Sequence, residues 1–171
     1  MIRTMRTRIT ATAAMSAALS VMVFAQADPF EGTWKLNVAK SKLSRPLQSA
    51  VMTLRVGIDD ESPRQSIERM SLEIVTAGGT REGIRYTSRY SGRPGGDFWV
   101  TDLVSGKEVP EEAVLKIIDD NTREFSRVKG NTVVATTRRT LSSDRKVITA
   151  HETVKRADGT SIEEVWVWER Q

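Results

Sequence analysis

The chain has 171 residues, with 26 Lys or Arg against 22 Asp or Glu and no cysteine. Such a length supports one domain with an ordinary hydrophobic core. The cysteine count excludes disulfides, thiol chemistry and cysteine metal sites. The net charge of +4 is no footprint for nucleic acid, because Arg3, Arg6 and Arg8 stand in residues 1–27, which hold no acid, and the rest of the chain carries 23 basic and 22 acidic residues.

Residues 1–27 read as a secretory signal peptide. Its parts are a basic start, an apolar middle over residues 9–24 and the small-x-small run Ala25-Gln26-Ala27. Cleavage is expected after Ala27. That leaves residues 28–171 as one domain, periplasmic or secreted. The apolar middle is short of the ~20 residues of a spanning helix, so no stable membrane anchor is expected after cleavage. No cysteine follows the cut to carry a lipid.

From residue 28 onward the chain reads as strand after strand. The first covers residues 33–38 and the second 51–58, ending at the acidic turn Asp59-Asp60-Glu61. Residues 65–75 place Met70, Leu72 and Ile74 on one face. After Gly78-Gly79, residues 81–90 place Ile84, Tyr86, Ser88 and Tyr90 on one face and Arg85, Thr87 and Arg89 on the other. Arg93-Pro94-Gly95-Gly96 turns the chain into residues 97–104. Residues 114–118, 123–128, 132–141, 146–155 and 162–169 follow. Their connectors are Asp119-Asp120-Asn121, Gly130-Asn131, Ser142-Ser143-Asp144 and Ala157-Asp158-Gly159. Period-2 alternation between short Gly, Asn and Asp turns is the signature of antiparallel hairpins. Two stretches interrupt it. Residues 39–49 contain Pro46, and residues 105–113 contain Pro110-Glu111-Glu112, a helix-start pattern. Each is expected to hold a helical turn or a loop across a barrel mouth.

The expected fold is all-β: a single antiparallel up-and-down (meander) barrel of about 8–10 strands, preceded by the signal-peptide helix. Closing the meander removes exposed sheet edges. A Greek-key sandwich needs longer crossing connections, and only the two interruptions could supply them.

The segment Gly32-Thr33-Trp34-Lys35-Leu36-Asn37 opens the first strand. Gly-x-Trp in that place resembles the lipocalin and fatty-acid-binding superfamily of small barrels. With Ala39-Lys40-Ser41-Lys42, the turn from Ile118 to Thr122 and the hairpin from Leu141 to Thr149, the chain is similar to a group of exported, uncharacterised bacterial lipocalin-like proteins. The resemblance implies a meander barrel and no established activity. It implies that Gly32 and Trp34 plug one end and that an Arg covers the indole. Arg170 is the first candidate for that cover and Arg156 the second.

No residue set identifies itself as catalytic. His151, the single histidine, reads as a strand residue facing water or a polar interior. A haem ligand is the alternative, since some small lipocalin-like barrels bind haem through one His. No other cofactor is implied; one His without Cys makes no histidine-rich zinc site, and a carboxylate-dominated metal site stays open. The acid pairs, among them Glu111-Glu112 and Glu163-Glu164, read as solvated or as pointing to opposite faces. In residues 132–141 the register takes Arg139 inward with Val133, Ala135 and Leu141, either to snorkel to water at the rim or to anchor an anionic head group. Trp166 and Trp168 share a face with Ile162 and Glu164, and Phe98 and Trp99 are further aromatics that could line a cavity. The expected function is binding of a small apolar or amphipathic ligand in a barrel cavity, with Tyr86, Arg139 and Trp166 as candidate contacts. An envelope protein–protein interaction module with a filled core is the alternative, and a hydrolase is the third.

Overall fold

The computed structural model of the chain describes residues 27–58, 66–90 and 99–171. The expectations for the leader, for the turns at residues 59–61 and 93–96, and for Phe98 and the Trp99 side chain lie outside the described residues.

Ten strands follow one another: β1 (Gly32–Leu36), β2 (Leu47–Ile58), β3 (Ser66–Thr76), β4 (Arg81–Arg89), β5 (Trp99–Asp102), β6 (Glu108–Asp119), β7 (Thr122–Lys129), β8 (Thr132–Leu141), β9 (Val147–Lys155) and β10 (Ser161–Arg170). Each pairs antiparallel with the next, and β1 pairs with β10, so the meander closes into a barrel. Among the described residues every strand thereby has two neighbours, although β5 pairs only with Ile84–Tyr86 of β4 and with Glu108, Val109 and Glu112 of β6.

Alternation decides which residues face inward. On β3 the buried Met70 and Ile74 share parity with Glu68, and on β4 Tyr86 and Ser88 do the same. On β8 Ala135, Arg139 and Leu141 are buried, but Val133 is exposed. The register shifts there: Arg127 pairs with Ala135 and Val128 with Val133, so β8 carries one extra residue. Such a bulge breaks the alternation beyond it.

The two interruptions turn out differently. Residues 38–40 form one 3-10 turn. Lys42 then bridges to Val165 on β10, and Leu43 packs against the core. The helix-start expectation at Pro110-Glu111-Glu112 is corrected: those residues belong to β6. Proline is tolerated because Trp99 pairs with Glu112 while Val100 pairs with Val109. Pro110 and Glu111 are looped out of the β5–β6 ladder, where no N–H is needed.

One end of the barrel is shut. Trp34 is 0% exposed, and its Nε1 donates to Phe30 O at 3.0 Å. The Arg170 guanidinium lies over the indole, 4.2 Å from the ring centroid. It donates to the carbonyls of Pro29, Glu31 and Arg145. Gly32 sits at φ 145°, and a Cβ there would lie 2.8 Å from Arg170 Nη1. Gly32→Ala is therefore expected to lower stability by about 1–3 kcal/mol through backbone strain and a displaced Arg170. Urea denaturation followed by Trp fluorescence measures it, and an unchanged midpoint would refute this account of the closed end.

Candidate functional site

The barrel interior divides into two zones. The inner zone, toward the plugged end, is organised by Glu68, which is 0% exposed. Its Oε1 accepts from Tyr86 Oη and from Arg139 Nη2 at 2.7 Å. Its Oε2 accepts from Tyr90 Oη at 2.5 Å. Glu68 comes from β3 and Arg139 from β8, which stand opposite each other in the ring of ten. The ion pair therefore crosses the barrel. Tyr86 stacks on Phe125 of β7, with ring centroids 4.4 Å apart.

Burial drives the behaviour of this cluster. It pushes the Tyr86 hydroxyl well above the ordinary tyrosine range; Arg139 opposes that rise, while Glu68 adds to it. Tyr90 is raised by the same burial and by Glu68. For Arg139, burial works most strongly against the charged form, but Glu68 together with Tyr86 and Tyr90 reverses it and the net shift is upward. The cluster thus holds a buried cation and carboxylate with both tyrosines as neutral donors.

The outer zone is open. A chamber of about 530 Å³ lies inside the other end of the barrel. Its apolar wall includes Leu72, Ile74, Ile84, Val154 and Ile162, with Trp166 among them. Trp166 stacks parallel to Trp168 at 5.7 Å. Trp166 is 8% exposed, and its buried Nε1–H faces the Glu152 carboxyl, short of a well-formed hydrogen bond.

Charged groups ring this chamber. Arg45 forms a two-pronged pair with Glu82, at 2.7 and 2.6 Å, between the β1–β2 connection and β4. Arg127 pairs with Glu111 at 3.2 Å. Asp102 caps its own turn by accepting from the backbone N–H groups of Val104 and Ser105. Glu164 is buried and accepts from the Ser44 backbone N–H at 2.8 Å and from the Ser44 hydroxyl. Glu152 stands directly opposite Glu164 in the β9–β10 register and opposite Thr137 in the β8–β9 register. Burial raises the Glu152 carboxyl above the usual range; Arg127 pulls it down and Glu164 pushes it up.

The three residues expected to touch a ligand are thus separated. Tyr86 Oη and Arg139 Nη2 meet at Glu68, while the buried Arg139 Nε has no hydrogen-bond partner. Trp166 lines the chamber. His151 is exposed on the outer wall, between Arg138 and Val165. It does not reach the interior, so the residues do not fit a haem ligated by His151 inside the barrel. Among the described residues no group of three or more His, Asp or Glu is placed to hold a metal ion.

Sequence reasoning missed Glu68 and Glu152 and passed over Glu164, although parity marked all three. Glu68 alternates with Met70 and Leu72, Glu152 with Ala150 and Val154, and Glu164 with Trp166. Comparison with protein-family models, with curated proteins and with solved structures finds no match.

Two measurements test the inner cluster. Glu68→Leu strands Arg139 and is expected to cost about 3–5 kcal/mol, whereas adding Arg139→Met to it should restore most of the loss. Denaturant titration of the single and double variants reads both values, and additive losses would contradict the pairing. The chain has two tyrosines, and both lie here. An exposed tyrosine ionises near pH ~10. With native values raised, their contribution to stability is full below about pH 10 and is lost as pH climbs further. Tyrosinate absorbance should therefore stay silent in the native protein through about pH 11 and appear only with unfolding. A smooth titration of folded protein near pH ~10 would overturn this arrangement.

Proposed function

We propose that this protein is an exported, lipocalin-like carrier that binds a small apolar or amphipathic molecule in the outer chamber of its barrel. The observation that carries this reading is the chamber itself. At about 530 Å³ it falls within the size range of small-molecule sites, and it joins an apolar wall to a few polar groups, as such sites do. A filled core, which an interaction module would have, is present only in the inner zone.

Placement with the lipocalin-like proteins is supported by the closed meander, the Gly32-Thr33-Trp34 opening and the Arg170 cover over the indole. Export is supported by the composition of residues 1–27. Trp166 is the aromatic wall of the site in this reading. Ser44 and Arg45, from the β1–β2 connection, line the chamber.

A neutral, environment-sensitive naphthylamine probe tests the reading. Wild-type protein is expected to bind one probe with a rise in its fluorescence. Ile84→Trp, which fills the chamber from β4, should abolish that rise while leaving the far-ultraviolet circular dichroism unchanged. No binding by wild type, or equal binding by the filled variant, would rule out the chamber as a ligand site.

A further inference from the structure

We infer that the chamber selects a ligand carrying a positive charge: an organic ammonium or a similar cation attached to an apolar body. This rests on the reading of the chamber as a ligand site and names the chemistry that the site takes.

The argument is a matter of which charges are already committed. The wall holds two cations, Arg45 and Arg127, against four carboxylates, Glu82, Asp102, Glu152 and Glu164. Arg45 is held by Glu82 through both prongs of its guanidinium. Arg127 is held by Glu111. Asp102 is occupied as a turn cap. Although Arg127 acts on Glu152 and Arg45 on Glu164 through space, Glu152 and Glu164 form no ion pair among the described residues. They face each other directly across β9 and β10. Like charges placed so are destabilising, and burial adds to the cost of keeping Glu152 ionised. A bound cation between them would relieve both costs at once.

Trp166 is the second, independent observation. It follows Glu164 by two positions on β10 and so shares its inward face. Its indole is more than nine-tenths buried and lines the chamber beside the Glu152 carboxyl. An aromatic face beside paired carboxylates is the arrangement that holds an alkylammonium. The inner zone argues in the same direction. Arg139, the residue suited to an anionic head group, already has its carboxylate in Glu68. An anionic ligand would meet only committed arginines and two facing carboxylates.

The groups facing Glu152 are Arg127 from β7, Thr137 from β8, and Glu164 and Trp166 from β10. Protonating Glu152 removes the charge that attracts the ligand, so cation affinity should weaken as pH falls through its raised titration range. The sign for stability is opposite. A raised native value means that the ionised form is disfavoured in the folded protein at neutral pH. Glu152→Gln should therefore make the empty protein more stable at neutral pH, with the gain vanishing in acid.

Three probes of matched chain length separate the outcomes: decyltrimethylammonium, decanol and decanoate, titrated by calorimetry at about pH 8, where an ordinary carboxyl is ionised. The cation is expected to bind wild type roughly tenfold or more tightly than decanoate, with decanol between them. Glu152→Gln and Glu164→Gln should each shrink that preference while leaving decanol binding in place. Decanol binding in the wild type verifies the chamber separately. If decanol binds and the cation binds no better than decanoate, the charge inference is overturned and the carrier reading stands. If none of the three binds, both fall. A cation preference that persists in both variants, with their circular dichroism native, would also overturn the assignment to Glu152 and Glu164.

Discussion

A carboxylate taken wholly out of water must be neutralised or surrounded by donors, at a cost otherwise of several kcal/mol. Glu68 is in that position, and the rest of the interior is arranged around it. Its charge is met by Arg139 from the opposite wall, and its remaining acceptor capacity by Tyr86 and Tyr90 of the neighbouring strand region. A one-residue slip of β3, β4 or β8 would turn one of these groups to the outside and leave the others buried without partners. The cluster thus fixes register in three strands that hydrophobic alternation alone would allow to slide by two.

The size of the barrel makes such a cluster necessary. Eight strands leave an interior that side chains just fill, and the diameter grows with strand number. Ten strands leave more space than Leu and Val can close. In the inner half long polar side chains reach across and aromatic rings stack beneath them. In the outer half no cross-barrel pair of that kind spans the space among the described residues, and the chamber remains. The division between filled and open zones therefore follows from where the long side chains stand along the strands.

The two halves also treat charge in opposite ways. Inside, every ionised group has its complement, and the plugged end adds a second buried guanidinium: Arg123 lies 4.8 Å over the Phe30 ring and donates to the Asp119 carbonyl at 2.6 Å. Outside, Arg45 and Arg127 are spent on Glu82 and Glu111, and two facing carboxylates are left over. A core arranged only for stability would not retain that pair. Its place beside the Trp166 indole gives the outer zone a chemical character beyond a hole lined with apolar atoms.

Much of this was legible along the chain, because alternation and turn chemistry are local. Strand follows strand with Gly, Asn and Asp turns between, so the all-β meander follows from the sequence alone, and the parity of Met70, Tyr86, Arg139 and Trp166 already points them inward. The same parity carried Glu68, Glu152 and Glu164 inward, against the ordinary preference of a carboxylate for water. Local pattern could not resolve that conflict, since the compensating partners sit on other strands. Pro110-Glu111-Glu112 misled for a related reason: a proline is excluded from a ladder only where a neighbour needs its N–H, and β5 makes no such demand there. Only the tertiary structure decided that Arg139 meets Glu68 and that Glu152 faces Glu164. The first pairing joins residues 71 positions apart and needs closure of the barrel, whereas the second is set by the register of the β9–β10 hairpin.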